Sequence, residues 1–509
     1  MESEKEHEIK NVAKFFAGRS IFITGGTGFL GKILIEKFLR SCPDLEALYI
    51  LMRPKKNISI DERLKKVFAL PIFDKLKETN PSAFEKVIAV NGNISEKDLG
   101  LDPIEKQVLI DKVSIIYHVA ANVRFNDSLR TAIFSNTRST RDICMLAENM
   151  KKLVALVHVS STYAHCDKFC VKETVYPAEI DWRKTIEMAE NVDEHILDIL
   201  TTKYMGSLPN TYIFSKKLAE SVISDFSDRL PCVILRPSIV ITSKDEPIPG
   251  WVDNFNGPGG LMVGGGKGIL KILYADPDKE LDYIPVDIVI KCFITSAYVR
   301  GQTPVTQNPE VEVYNVSSYS IKRLTMRSTV NLSLKINEEN PLENPIWYPN
   351  LSITKCYVYY YICVILYQVL PALVLDQILK FTGRKPMVLK LQRKVYVANI
   401  SLSYFMMNCW NFYNDKSLSL LTRLSAEDKI DFGFNYREFD IYQFLKISLK
   451  GGKKYLLHEN MEKIDENVRA LNRSWWIDRI TKTFFFIFLT WILSKTRLYL
   501  YLINTFPLF

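Results

Sequence analysis

The stretch Phe22 to Gly31, read as F-I-T-G-G-T-G-F-L-G, constrains this chain more than any other. A short apolar strand, Ile21 to Thr24, runs into Gly25, Gly28 and Gly31, and then into Leu30, Ile33, Leu34 and Phe38 at helical spacing. Gly25 turns the chain off the strand, Gly28 leaves the backbone open to a pyrophosphate, and Gly31 lets the helix lie close to the sheet. Unpaired N–H groups at the helix start then face the anion. The spacing is one residue longer than G-x-G-x-x-G, so the flanking strand and helix supply its specificity. The expectation is a parallel α/β sheet that holds a dinucleotide.

With 509 residues, 47% of them hydrophobic, the chain has room for more than one domain and a sizeable core, which excludes a disordered protein. Its net charge of +9 is mild and includes no long basic block, so no nucleic-acid partner is expected. The nine cysteines are scattered, and only Cys166 and Cys170 fall close together. That pattern predicts reduced thiols and no metal site. Met1 to Lys14 is too charged to be a signal peptide.

Leu48 to Met52 reads as a second strand, followed by Arg53, Lys55 and Lys56. An NAD-binding fold places an acidic residue near this point, whereas a guanidinium suits a 2′-phosphate, so NADP(H) is the expected cofactor. Val87 to Val90 is the third strand. Ser114 to Val119 is the fourth, ending in small residues, Ala120 among them, beside which a cofactor can lie; His118 reads as a packed residue rather than a base. A helix over Ser135 to Met150 leads to strand five, Ala155 to Ser160, tipped by Ser161 and Thr162. Strand six, Val233 to Arg236, carries Pro237 at its tip.

Between strands five and six, Tyr212 and Lys216 stand four residues apart on one helix face. A nearby ammonium is expected to lower the phenol's pKa and sharpen it as a proton donor, with Ser161 holding the same substrate oxygen. The glycine-rich segment Pro247 to Gly268, with Trp251, reads as a mobile lid over a substrate, and Asp287 as a helix N-cap.

With I-T-G-G-T-G-F-L-G-K, Y-I-L-M-R-P-K, V-H-V-S-S-T-Y-A, N-T-Y-I-F-S-K-K-L-A-E, P-G-W-V-D-N-F-N-G-P and I-P-V-D-I-V in order, the chain resembles the alcohol-forming fatty acyl-CoA reductases. These are extended short-chain dehydrogenases. The resemblance implies a Rossmann-type doubly wound parallel sheet, a smaller mainly helical C-terminal domain and an apolar tail. It implies reduction of long-chain fatty acyl-CoA by NADPH to an aldehyde and then a primary alcohol, with CoA released. Tyr212 would be the proton donor, Lys216 would tune it and hold the nicotinamide ribose, and Ser161 stands where Thr is more usual. Gly25, Gly28, Phe29, Leu30 and Gly31 would hold the pyrophosphate and Arg53 the 2′-phosphate, with Thr24, Asn93, Ala120, Arg236 and Pro237 as further cofactor contacts. Asn93 replaces the family's usual Asp, and Asn122 its usual Thr. Two readings share the motifs: an extended dehydrogenase acting on a sterol or nucleotide sugar, and a non-catalytic NADP sensor or scaffold.

Beyond residue 345 the composition shifts. The expected division is a catalytic region 1–345, a C-terminal domain 346–475 and an apolar tail 476–509. Cys356 to Leu379 is long enough to span a bilayer, although Gln368, Pro371 and Asp376 interrupt it. Spanning would place Lys380 to Lys394 in the cytosol and the reductase in the lumen, so a segment buried in protein or dipping into one leaflet is preferred. Thr483 to Leu493 suits an interfacial helix, and Lys495 and Arg497 oppose spanning by the whole tail. A membrane-associated enzyme facing the cytosol, at the endoplasmic reticulum or peroxisome, with membrane lipid as a partner, is expected; a homodimer is one assembly open to it. Pro507-Leu-Phe509 is not the peroxisomal S-K-L signal.

Overall fold

The structure is a computed structural model and describes residues 12–496 apart from 56–57, 178, 308, 322 and 435–439. Lys56, Arg497 and the remaining tail, and the N-terminal residues read as too charged for a signal peptide up to Asn11, lie outside the described residues.

Strands β1 (Ser20–Thr24), β2 (Ala47–Met52), β4 (Val113–His118), β5 (Ala155–Val159) and β6 (Cys232–Pro237) are buried at every position, as a parallel sheet covered on both faces requires. With β3 (Val87–Asn91) and β7 (Glu312–Val316) they form one sheet of order β7-β6-β5-β4-β1-β2-β3, every neighbouring pair parallel. The order reverses between β1 and β4. Thr24 pairs with His118 there, so the glycine turn and the small residues after β4 emerge side by side, where such sheets hold their ligands. Helix α1 (Phe29–Ser41) leaves the turn and buries Ile33, Leu34 and Phe38 against the sheet.

Several expectations change in detail. The helix anticipated over Ser135 to Met150 is already helical from Leu129–Ala132. It passes through a wide π turn over Ile133–Arg138 before α2 (Ser139–Ala147). Helix α3 (Thr211–Asp225) carries Tyr212 and Lys216, as its pattern indicated. Helix α4 (Val286–Arg300) starts after Pro285, so Asp287 lies inside it. Its carboxylate accepts from the N–H groups of Lys244 (2.9 Å), Asp245 (2.8 Å) and Glu246 (3.3 Å) and pins a neighbouring loop rather than capping its own helix.

Two compact units share the chain: Met1–Asn254 with Lys279–Thr325 and Tyr404–Gly451, and Phe255–Asp278 with Met326–Ser403 and Gly452–Phe509. The first holds the sheet. Its late segment is tied in by a short strand, Asn411–Phe412, paired with Cys170–Val171. Glu173 reinforces this, accepting from the N–H groups of Asn315 (3.0 Å) and Ser417 (2.8 Å).

The second unit is mainly helical. Pro258–Gly266, expected as part of a glycine-rich lid, is a helix. Its glycines answer to space: a Cβ on Gly260 would lie 2.3 Å from the Phe255 carbonyl oxygen, and one on Gly266 would lie 2.8 Å from Leu342. In the first unit, Trp251 is buried. The apolar run forms one continuous helix over Tyr357–Phe381 with a π turn at Ile365–Val369. Burial inside protein fails as a description of it, because only 28% of its most apolar window is buried. Thr483 to Leu493 belongs to a helix of 33 residues, Ile464–Thr496, rather than a separate short segment, and Phe484 to Phe488 and Trp491 on it are exposed.

Candidate active site

The glycine turn is shaped for close approach. Gly25 has φ +78°, and a Cβ there would lie 2.6 Å from the Ala120 nitrogen; one on Gly31 would lie 2.2 Å from the Gly25 carbonyl oxygen. Gly28 is exposed and caps α1 with no side-chain hydrogen bond. The first-turn N–H groups of Phe29, Leu30 and Gly31 have no intrahelical partner, which is the donor set a pyrophosphate needs. Thr24 is buried, its hydroxyl 2.7 Å from His118 Nδ1 and accepting from the Ala120 N–H at 3.3 Å, which locks the ends of β1 and β4 together. His118 is therefore a packed residue: burial, aided by the Lys216 charge, holds it down at about 3. These residues fit a dinucleotide.

Arg53 follows β2 directly and is exposed. Arg63, unnoticed in the sequence, donates its guanidinium to the Arg53 carbonyl oxygen and brings a second cation to that edge. Asn93 is occupied locally: its amide donates to Glu96 (3.1 Å) and accepts from the Ser95 N–H (3.2 Å).

Ser161 follows β5. Its hydroxyl accepts from the Tyr163 N–H (3.2 Å) and reaches the Pro237 carbonyl oxygen at 3.5 Å, as does Thr162 Oγ1. Pro237 thus orients both hydroxyls. Tyr212, partly buried, has its phenol next to the Ser161 hydroxyl, so the two expected oxygen-holding groups are together. Burial outweighs the lowering influence of the Ser161 hydroxyl and pushes the phenol up to about 12. This reverses the lowering expected from Lys216, whose ammonium is turned to the Val159 carbonyl oxygen at 2.6 Å. Burial brings Lys216 itself down to about 8, against the pull of Glu220. The arrangement keeps a protonated phenol beside a second hydroxyl donor at neutral pH, which is the state a proton donor needs.

Arg236 departs from its expected role at the cofactor. Fully buried, it gives its guanidinium to Glu220 (2.9 and 2.5 Å), His165 Nε2 (3.2 Å) and the carbonyls of Lys172 (3.1 Å) and Thr174 (3.0 Å). A guanidinium at that depth must be neutralised, and Glu220, one turn past Lys216, does so. The pair holds α3 against β6.

Two further features escaped the sequence. Asn136, in the π turn, accepts from the Asn122 N–H (2.8 Å) and donates to the Asn122 carbonyl (3.1 Å) and Ser215 Oγ (2.9 Å), fixing the loop after β4 to α3. An asparagine inside a helical pattern carries no such signal. Phe125 sets its ring 5.7 Å from Tyr212 and 5.4 Å from Phe405, and Phe405 lies 5.2 Å from Tyr163. A residue nearly two hundred positions later in the chain therefore joins the wall beside the phenol.

A family model described as "Male sterility protein" matches residues 23–293, and a second of the same description matches 367–459. Fatty acyl-CoA reductase 1 of Xenopus laevis is 36% identical over 463 residues, covering 91% of this chain and 89% of the relative; that of Homo sapiens shows the same values. Fatty acyl-CoA reductase wat of Drosophila melanogaster is 34% identical over 479 residues, covering 94% and 92%. Among solved structures, the terminal R domain of the myxalamid PKS-NRPS pathway superposes with a TM-score of 0.58 at 20% identity, covering 86% of this chain and 91% of that one. The reductase domain of a nonribosomal peptide synthetase from Mycobacterium tuberculosis gives 0.55 at 16%, covering 86% and 95%. These two likenesses show the fold.

Proposed function

The chain belongs to the fatty acyl-CoA reductase family, and from that premise we propose that it reduces long-chain fatty acyl-CoA to a primary alcohol through the aldehyde, releasing CoA. The observation that carries the proposal is the meeting of Tyr212 with Ser161 at the carboxyl end of β5, Lys216 one turn away. Bound NADPH supplies a hydride to the thioester carbonyl carbon and, in a second round, to the aldehyde carbon. Tyr212 gives its proton to the carbonyl oxygen, and the Ser161 hydroxyl holds that oxygen as charge develops on it. When the first product, a hemithioacetal, collapses, its hydroxyl proton returns to the Tyr212 phenolate, the C–S bond breaks and CoA leaves as the thiolate, so the phenol is protonated again for the aldehyde round. Lys216 is assigned to the nicotinamide ribose, Phe29 to Gly31 to the pyrophosphate, and Arg53 with Arg63 to the 2′-phosphate, which favours NADPH over NADH.

In this reading residues 1–345 carry the chemistry, 346–475 form the C-terminal domain and 476–509 the attachment. The protein works on the cytosolic face of the endoplasmic reticulum or peroxisome, with membrane lipid as partner, held by the exposed apolar end of Ile464–Thr496. A homodimer is an assembly for light scattering to test. The function is tested by incubating detergent-solubilised protein with NADPH and a series of acyl-CoAs and identifying lipids by mass spectrometry. Fatty alcohol is the expected product. No turnover of any acyl-CoA, with NADPH still bound, would overturn the proposal and turn attention to sterols and nucleotide sugars.

A further inference from the structure

The helix Tyr357–Phe381 carries three residues that looked like interruptions of an apolar run, and two of them, Gln368 and Asp376, have an inward task in the second unit. Gln368 is buried and its Oε1 accepts from the Lys271 N–H at 2.9 Å. Pro371 stands directly after the π turn, an irregularity at which a helix accommodates proline. Asp376 accepts from the N–H groups of Met387 (2.8 Å), Val388 (2.9 Å) and Leu389 (3.0 Å), closing a hairpin onto the next helix, Val388–Met407. Buried Tyr360, Val364, Gln368, Ala372 and Asp376 recur every fourth residue and form one stripe. Tyr360 joins it through its hydroxyl, 3.1 Å from Asn399 Nδ2.

The faces away from that stripe are apolar and exposed: Val358, Ile362, Leu366, Leu373, Val374 and Ile378 among others. Beyond them the hairpin tip carries Phe381, 90% exposed, and Met387, 63% exposed. Around these stand Arg384, Lys385, Lys390, Arg393 and Lys394, all exposed, and residues 380–394 contain no Asp or Glu. A helix fastened along its length by polar contacts to its own unit is not free to cross a bilayer, yet its outer surface suits hydrocarbon. Cations beside exposed apolar side chains suit the headgroups of an anionic leaflet.

We propose that this hairpin is a second membrane contact, lying in the plane of an anionic lipid leaflet with Tyr357–Phe381 half-embedded and the basic tip on the headgroups. It rests on the membrane reading above and adds a surface, an orientation and a lipid charge to it. Each cation near an anionic surface raises partitioning about fivefold, so removing five lowers it by about a thousandfold or more.

The test uses the full chain and vesicles of phosphatidylcholine with or without phosphatidylserine. A tail variant, Phe484→Ser with Phe485→Ser, Phe486→Ser and Phe488→Ser, should still float with the phosphatidylserine vesicles and be released by high salt. Adding Arg384→Gln, Lys385→Gln, Lys390→Gln, Arg393→Gln and Lys394→Gln should abolish that flotation while the melting temperature holds. If the tail variant floats with neither vesicle while the unmodified chain floats, the hairpin proposal falls and tail attachment stands. If the unmodified chain floats with neither, both fall. Orientation is read with a membrane-impermeant maleimide on reconstituted Thr382→Cys protein: labelling of Cys356 and the new thiol from the same side supports an in-plane helix, and labelling of only one refutes it.

Discussion

Lys216 is a cation 1% exposed, and its environment makes a pH-dependent demand on the fold. Burial lowers it to about 8 from an ordinary 10.5. Between those values the unfolded chain binds the extra proton, so this residue's contribution to stability rises with pH across that window and its penalty is complete below it. Lys216→Met should therefore gain more stability over the unmodified chain at pH 7 than at pH 10; an equal gain at both in thermal melts would contradict the assignment. Glu220→Gln leaves the buried Arg236 charge uncompensated and should cost about 3 to 5 kcal/mol, read as a lower denaturation midpoint. These residues also mark how far the sequence could be read. The placement of Tyr212 and Lys216 on one helix and of Ser161 just past a strand was legible, because helical spacing and an apolar strand run mark those ends. Arg236 was misread: a strand-tip arginine looks alike whether it faces a ligand or a buried carboxylate, and Glu220 was known only as part of a helical run.

At the scale of elements, the glycine turn and α1 were legible almost to the residue because close approach leaves no alternative side chain. Gly31→Ala would drive a methyl group against the Gly25 carbonyl, so the turn must open; a loss of NADPH affinity of about tenfold or more, with unchanged circular dichroism, is expected. Unchanged affinity by fluorescence titration would show that α1 tolerates displacement. The helix Pro258–Gly266 was not legible, since glycine's helix cost of about 1 kcal/mol per residue argues for a loop until the neighbours it must clear are known. β7 was missed for a related reason: Glu312–Val316 is short and follows a polar stretch, and its pairing with β6 is what makes it a strand. Phe405 belongs here too. Phe405→Ala removes the ring that backs Phe125, and we expect KM for long acyl-CoAs to rise several-fold with NADPH affinity unchanged; equal KM would remove Phe405 from the substrate wall.

For the whole molecule, the chain interleaves its two units, and no composition shift marks where Tyr404–Gly451 returns to the first. A chain ended at residue 345 loses the partners of Cys170–Val171 and two donors to Glu173, and with them Phe405, Trp410 and Phe412 against Tyr163. It should not melt cooperatively. The candidate site therefore depends on sequence far downstream of its motifs, and the proposed reaction rests on one group above all, the Tyr212 phenol. The most direct measurement is the stoichiometry of NADPH oxidation per acyl-CoA consumed, by unmodified and Tyr212→Phe protein, with NADPH binding measured alongside. Two NADPH per alcohol formed, with kcat reduced about 10²- to 10⁴-fold in the variant and NADPH affinity retained, is the expected result. Tyr212→Phe protein that reduces acyl-CoA at the unmodified rate would contradict it.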